Sequence, residues 1–169
     1  MLFESGWVCS GICIDKKQAS KKLRWFVESR PETVEKKAAI IVRHFQESVI
    51  GKGKIGGQAR AMVVTAGIDR AIEYYFAISK QLTHIKSPYK AVVAFSGEKE
   101  HMGKKMTESS INHFPSADIE ARMKQDPYRI LVVADKFQTG YDEPLLHTMY
   151  VDKGLYDIKA VQTLSRLNR

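Results

Sequence analysis

The stretch Ala61-Met62-Val63-Val64-Thr65 is a short apolar run bounded by turn residues. Its length is that of a strand, and an unbroken apolar run is typical of a strand covered on both faces, as in a parallel sheet. Two similar runs follow, Ala91-Val92-Val93-Ala94-Phe95 and Ile130-Leu131-Val132-Val133-Ala134. A fourth strand is predicted at His147-Thr148-Met149-Tyr150-Val151.

Helices are predicted around these strands. Apolar residues recur at helical spacing over residues 31–50 and 68–82, a short helix is predicted up to residue 124, and a closing helix from about residue 158. Strands that alternate with helices predict an α/β domain with a mainly parallel sheet and flanking helices. Residues 98–115 are polar and carry no period that predicts a strand or a helix.

Ligands of parallel sheets bind outside the carboxyl ends of the strands. Three polar segments are predicted at that edge: the one from Thr65 onward, Ser96-Gly97-Glu98, and residues 135–142. A glycine-rich basic segment, residues 52–60, precedes the first strand. It either touches phosphate or forms a solvated connector, and it lacks the Gly-Lys-Ser/Thr ending of a P-loop.

The composition of the chain limits the classes of function that it can have. The 169 residues are enough for one domain with a sizeable core, and the formal charge of +8 favours an anionic partner, most often nucleic acid. The two cysteines form neither a disulfide framework nor a metal motif. No apolar run approaches a membrane span, and no basic segment of a signal peptide opens the chain, so we expect a cytoplasmic protein.

The last eight residues, Gln162-Thr163-Leu164-Ser165-Arg166-Leu167-Asn168-Arg169, carry the main chemical signal. On a helix, Gln162, Arg166 and Arg169 fall on one face, opposite the apolar residues. Two guanidinium groups on one helix face can bind the phosphates of a nucleotide together. A helix face with two arginines is, however, more often simply exposed to solvent. Because the chain stops in mid-helix on this interpretation, we expect it to be part of a longer protein.

Taken together, these motifs resemble the second RecA-like domain of superfamily-two helicases. Gly140-Tyr141-Asp142-Glu143-Pro144 is similar to the Gly-x-Asp-x-Pro of their motif V, and the closing octet to motif VI. The segments 56–65, 107–110, 137–153 and 160–169 resemble more narrowly the restriction (motor) subunit of type I restriction-modification enzymes. The resemblance covers residues 30–169, whereas residues 1–29 form a flanking segment to which we assign no role.

The resemblance implies an ATP-dependent translocase of double-stranded DNA in a prokaryotic restriction endonuclease. It implies a site for ATP and Mg²⁺ between two RecA-like domains, with the P-loop and the metal on the first. The first motor domain and a nuclease domain belong to the same subunit in this family, and separate modification and specificity subunits complete the complex. The chain contains neither a P-loop nor an Asp-Glu-x-His motif, so we expect it to be inactive alone.

The same resemblance assigns roles to residues of the ATP site. Arg169 is expected to be the arginine finger, and Arg166 a phosphate clamp or a second finger. Gln162 is expected to contact the nucleotide or the facing domain. Asp142 is expected to contact the ribose or to couple the ATP site to DNA. Gly140 allows close approach of the backbone. Ser165 and Asn168 stand where many relatives have glycine, so we expect a different local backbone there.

The motifs say less about which residues contact DNA than about the ATP site. RNA helicases of this superfamily often carry a threonine where this chain has Ala134, so that contact is not carried over. Lys136, Gln138 and Thr139 are candidates by proximity, against a purely structural loop. Thr65 and Ser96 are candidates for contacts with phosphates, against strand-end capping.

Two other functions fit the same residues. Another double-stranded DNA translocase or remodeller would have a similar second domain. A non-catalytic nucleic-acid-binding module would use the positive charge alone, and it predicts that Arg166 and Arg169 serve DNA affinity and not ATP turnover.

Overall fold

The computed structural model describes residues 31–101, 103–134, 136–137, 141 and 143–154. Its strands are β1 (Arg60–Thr65), β2 (Lys90–Ala94), β3 (Glu98–His101), β4 (Lys104–Thr107), β5 (Tyr128–Val133) and β6 (Leu146–Asp152). Its helices are α1 (Pro31–His44), α2 (Ile68–His84), α3 (Glu108–Asn112) and α4 (Ile119–Met123). A π-helical segment, Phe45–Ile50, continues α1, and short 3-10 segments lie at Lys54–Gly57 and Ser116–Asp118.

Four strands form a parallel sheet in the order β2-β5-β1-β6. All six residues of β1 are buried. Ala61 and Val63 belong to the core cluster on the side of α1 and α2, whereas Met62 and Val64 belong to the cluster on the side of α4. Both faces of β1 are therefore covered, which confirms the predicted α/β fold with a mainly parallel sheet.

The helices on one face follow from their apolar stripes. Val34, Ala38 and Phe45 are buried along α1 and its continuation, and Ile72 and Ile78 along α2. Each stripe repeats at three- or four-residue spacing, so one side of each helix packs on the sheet while the other stays polar. Within the described ranges, no helix has the length and apolarity that would be needed to cross a membrane.

The segment over residues 98–115, for which the sequence predicts no element, is structured. β3 and β4 pair as an antiparallel hairpin, with Gly103 at a φ of 73° in its turn, and α3 follows directly. None of the residues described in β3 and β4 is fully buried, so the hairpin carries no apolar alternation that would reveal its strands. The expectation of an irregular segment is therefore wrong.

Helix α3 closes an edge of the sheet. β2 is an outer strand of the four, so its outward backbone groups have no neighbouring strand. Asn112 takes that place, since its Oδ1 accepts from Val93 N at 2.9 Å and its Nδ2 donates to Val93 O at 2.7 Å. The short helix therefore satisfies buried backbone groups that a fifth strand would otherwise pair with.

Substituting Asn112→Ala should destabilise the fold. The change leaves the Val93 N–H and C=O without the amide that pairs with them, at a position where Asn112 is only 8% exposed. We expect the free energy of unfolding to fall by about 1–3 kcal/mol, which urea denaturation measures. Gln125→Ala, at an exposed amide, is the control and should change it by about 0.5 kcal/mol or less. An equal loss in both variants would contradict the role of Asn112.

Candidate functional site

The carboxyl ends of four strands meet at one edge of the sheet. β1 ends at Thr65, β2 at Ala94, β5 at Val133 and β6 at Asp152, and all four run in the same direction. The segments that follow β1, β2 and β5 are the polar segments predicted to lie together. We call this the carboxyl edge, and it is where a ligand of such a sheet binds.

Thr65 lies at this edge with its side chain turned inward. The residue is fully buried, and its hydroxyl oxygen lies 3.1 Å from the carbonyl oxygens of both Gly67 and Val133. This geometry is that of a cap that joins the ends of two neighbouring strands. A contact between Thr65 and a DNA phosphate stays a prediction, and in this conformation the hydroxyl serves the protein backbone.

Ser96 is placed differently. It is exposed and stands directly after the buried Phe95, before Gly97 with a φ of 83°. The left-handed backbone at Gly97 turns the chain out of the sheet into β3, so Ser96 stands at the surface of the carboxyl edge. Its geometry is compatible with the predicted contact to a phosphate.

Lys136 is the third candidate within the described residues. Its Nζ lies 2.9 Å from Oε1 and 2.8 Å from Oε2 of Glu108, and 5.2 Å from the ring centroid of Phe137. Glu108 is 5% exposed, and its Oε1 also accepts from Phe95 N at 2.6 Å. The ammonium is therefore neutralised by a buried carboxylate. Sequence reasoning missed this partner, because it lies 28 residues away in a segment with no predicted element.

Two aromatic rings anchor the same loop. Phe137 has a φ of 63°, and its ring centroid lies 5.0 Å from that of Tyr141. Tyr141 is 3% exposed, and burial is the main cause that raises the pKa of its phenol. The loop after β5 is thus fixed at Lys136 and Phe137, within the motif that the sequence marks as functional.

A polar cluster that the sequence does not reveal lies at the end of β6. Asp152 accepts a hydrogen bond from the Tyr74 hydroxyl at 2.8 Å and pairs with Lys37. Burial and the hydrogen bond to Asp152 raise the pKa of the Tyr74 phenol. No spacing could predict this cluster, since Asp152 meets residues of α1 and α2 that are 115 and 78 positions away.

The remaining predicted site residues lie outside the described residues. They are Gly140, Asp142, Gln138, Thr139, Gln162, Arg166 and Arg169. Their assignments stay predictions. Within the parts of the chain that the structure describes, no three His, Cys, Asp or Glu side chains converge in a way that could hold a metal ion.

Comparison with known proteins gives a family match and several relatives. Residues 99–169 match the family model for domain 3 of the type I restriction enzyme subunit R. The chain is 32% identical over 119 residues to the putative type I restriction enzyme MjaIXP endonuclease subunit of Methanocaldococcus jannaschii. This match covers 65% of the chain. It is 38% identical over 63 residues, or 37% of the chain, to the SauCOLORF180P endonuclease subunit of Staphylococcus aureus.

A third relative is the type I restriction enzyme HindI endonuclease subunit of Haemophilus influenzae, at 38% identity over 53 residues, or 30% of the chain. The matched regions cover 10%, 7% and 5% of the lengths of these three relatives. The chain therefore spans about a tenth of such a protein or less.

Proposed function

We propose that this chain, whose matches support membership in the restriction-subunit family of type I restriction enzymes, is the second motor domain of an ATP-dependent translocase of double-stranded DNA. The observation that carries the proposal is the carboxyl edge, where the parallel sheet gathers the ends of β1, β2 and β5. These strand ends lead into the segments in which the motor motifs stand. A second RecA-like domain needs such an edge in order to face a nucleotide and a DNA track.

The ATP site is proposed to be shared with a first motor domain. Arg169 and Arg166 would direct guanidiniums to the phosphates, where negative charge spreads over the γ-phosphoryl oxygens in the transition state. Gln162 would add an uncharged donor. These side chains fit a triphosphate because guanidinium and amide N–H groups are donors that match phosphate oxygens. Mg²⁺ would be held mainly by the first motor domain and would neutralise phosphate charge there.

Two further residues complete this site. Asp142 would contact the ribose or couple the nucleotide to the DNA track, and Gly140 would let the backbone approach closely. Both belong to the loop after β5, in which Lys136 contacts Glu108 and Phe137 contacts Tyr141. Anchoring supports the proposal, since a group that senses both nucleotide and DNA must be held in a fixed place.

The DNA track is proposed to run along the carboxyl edge. Ser96 stands exposed there, and Gln138 and Thr139 follow Lys136 in the loop after β5. Polar groups of this kind position a protein on phosphates without reading sequence. Thr65 would act through the backbone that its hydroxyl caps, or would reorient to reach a phosphate.

The partners follow from the family. We propose that the first motor domain and a nuclease domain lie in the same subunit, and that modification and specificity subunits complete the complex on double-stranded DNA. The relatives are named as endonuclease subunits, which supports an assembly that acts on DNA. The test is ATP-driven displacement of a third DNA strand by the full-length subunit within its complex. A complex that binds DNA and hydrolyses ATP without displacing the strand would contradict translocation.

The chain alone should not hydrolyse ATP. It lacks the P-loop lysine that would hold the β- and γ-phosphates, and no Asp-Glu-x-His sequence supplies the acids for Mg²⁺ and water. We expect phosphate release by the purified 169-residue chain to equal the buffer rate, with and without double-stranded DNA. Turnover that DNA stimulates in this preparation would overturn the two-domain ATP site.

A further inference from the structure

The sequence Thr107-Glu108-Ser109-Ser110 resembles the restriction subunits but has no role in the proposed site. Its outer residues have a structural explanation. Thr107 caps α3, since its Oγ1 accepts from Ser110 N at 3.2 Å, while Ser110 Oγ accepts from Thr107 N at 2.9 Å. This reciprocal capping box starts the helix at a defined residue. Glu108 is consequently held at the first position of α3.

Glu108 and Asn112 lie four residues apart, on one face of α3, and both reach the outer edge of β2. Asn112 pairs with Val93, and Glu108 Oε1 accepts from Phe95 N at 2.6 Å. Phe95 N–H is the last backbone donor before Ser96. The Glu108 carboxylate therefore fixes the point at which the chain leaves β2.

The same carboxylate also holds the loop after β5, through both of its oxygens on Lys136 Nζ. Glu108 is 5% exposed and the Lys136 side chain 28%. The pair differs from the surface pair of Glu98 with Lys105, whose side chains are 60% and 76% exposed. Exposed pairs are worth little, whereas a buried carboxylate that loses its cation stays uncompensated.

We propose that Glu108 is a positioning residue that holds the loop after β2 and the loop after β5 in one fixed arrangement at the carboxyl edge. One carboxylate bridges a backbone donor of the first loop and a side chain of the second, so neither loop can shift without breaking a charge-assisted bond. The consequence for DNA rests on the proposed function. Glu108 would set the distance between Ser96 on one loop and the residues after Lys136 on the other, and both groups are proposed to contact DNA.

The first experiment is independent of any motor activity. Trypsin cleaves after Lys136 only when its side chain leaves Glu108, so the cleavage rate at this bond reports the opening of the loop. We expect Glu108→Gln to raise the rate about tenfold or more, since the amide keeps an acceptor for Phe95 N but loses the charge. Lys136→Arg, which retains the pairing cation, should be cleaved within about fivefold of the rate of the unchanged chain, a margin that covers the preference of trypsin for arginine.

Two controls separate positioning from general destabilisation. Glu98→Gln makes the same change in the exposed pair with Lys105 and should leave cleavage after Lys136 unchanged. Cleavage after the buried Arg60 reports global unfolding, and in Glu108→Gln it should stay at least about tenfold slower than cleavage after Lys136. An unchanged rate at Lys136, or equal rates of cleavage after Lys136 and after Arg60, would overturn the proposal. If Glu108→Gln fails to fold, Glu108→Asp decides, because its shorter side chain cannot reach both Phe95 N and Lys136 Nζ, and an unchanged rate of cleavage after Lys136 would exclude the bridge.

The second experiment uses the full-length subunit in its complex. Glu108→Gln should lower DNA-stimulated ATP turnover by about 10–100-fold and leave the KM for ATP within about twofold, because misplaced loops impair coupling and not nucleotide binding. Normal stimulated turnover, together with faster cleavage after Lys136, would overturn the functional part of the proposal. A complex that shows no DNA-stimulated turnover even without substitution would contradict the proposed function, and the proteolysis would still decide whether Glu108 holds the loops.

Discussion

Replacing Arg169 with alanine in the full-length subunit should slow ATP hydrolysis by about 10³–10⁵-fold, the range known for arginine fingers of GTPases. The physical reason is that the γ-phosphoryl group gains negative charge on its equatorial oxygens in the transition state, and an inserted guanidinium stabilises that charge. Arg166→Ala should lower turnover as well, as the second guanidinium on the same predicted helix face. DNA affinity should stay within about twofold, because neither side chain is proposed to touch DNA.

Steady-state phosphate release and fluorescence anisotropy on a DNA duplex measure the two quantities in the same preparation. Arg43→Ala is the matched control, since Arg43 is an exposed arginine of α1 to which no role in the proposed site is assigned. The opposite pattern would favour the nucleic-acid-binding module. In that case both arginine variants would weaken DNA binding, and the DNA affinity of the variants would depend less on salt concentration. Any ATP turnover of the complex would remain.

The sheet was predictable because burial on both faces leaves a plain signal. Strands such as β1 consist almost wholly of apolar residues, and the turn residues around them define their ends to within a residue or two. The hairpin of β3 and β4 gives no such signal, because it lies at the surface and most of its side chains are polar. Periodicity detects a strand through its buried face, and an exposed ribbon has none.

The carboxyl edge was predictable from topology, whereas the contacts within it were not. Strands that alternate with helices run parallel in most α/β domains, so the polar segments that follow them lie at one edge of the sheet. That Lys136 binds Glu108, or that Asp152 receives the Tyr74 hydroxyl, depends on side chains that are far apart in sequence. No local pattern encodes such a pair. The roles of Arg166 and Arg169 come from the resemblance alone and stay predictions.

The basic segment before β1 illustrates how tertiary burial changes an interpretation. Sequence reasoning offered phosphate contact or a solvated connector for residues 52–60, and the lysines do remain exposed. Arg60 instead is 3% exposed, at the start of β1. It donates to the carbonyl oxygen of Met123 through Nε and to that of Gln58 at 2.7 Å through a terminal nitrogen. The arginine therefore joins α4 to the amino end of the sheet.

Buried charges surround this arginine. Glu143 is 6% exposed, and its Oε1 accepts from Leu145 N at 3.0 Å, while its Oε2 has no hydrogen-bond partner among the described residues. Burial and the neighbouring Arg129 lower the pKa of Arg60, and the Glu143 carboxylate opposes that shift. Arg129 is in turn paired with Asp126, and this hydrogen bond lowers the pKa of the Asp126 carboxyl. Arg60 and Glu143 thus interact through their charges, without a direct hydrogen bond or ion pair between their side chains.

Arg60→Ala should consequently be among the most destabilising single changes in the described part of the chain. It removes two hydrogen bonds to backbone carbonyls, which stay buried without their donor, and it removes a favourable charge interaction with Glu143. We expect the free energy of unfolding to fall by about 2–5 kcal/mol, measured by urea denaturation followed by circular dichroism. Arg60→Lys should recover only part of the loss, since one ammonium cannot reproduce the planar fork that meets both carbonyls.

A double-mutant cycle tests the proposed cause of this loss. If the lost charge interaction with Glu143 contributes to it, Arg60→Ala combined with Glu143→Gln should cost about 0.5–3 kcal/mol less than the sum of the two single changes. The control pairs Arg43→Ala with Glu143→Gln, and those costs should add, because Arg43 is exposed on α1. Additive costs for Arg60 and Glu143 would leave the lost bonds to Met123 and Gln58 as the whole effect. The charge of Glu143 would then be stabilised by groups other than Arg60.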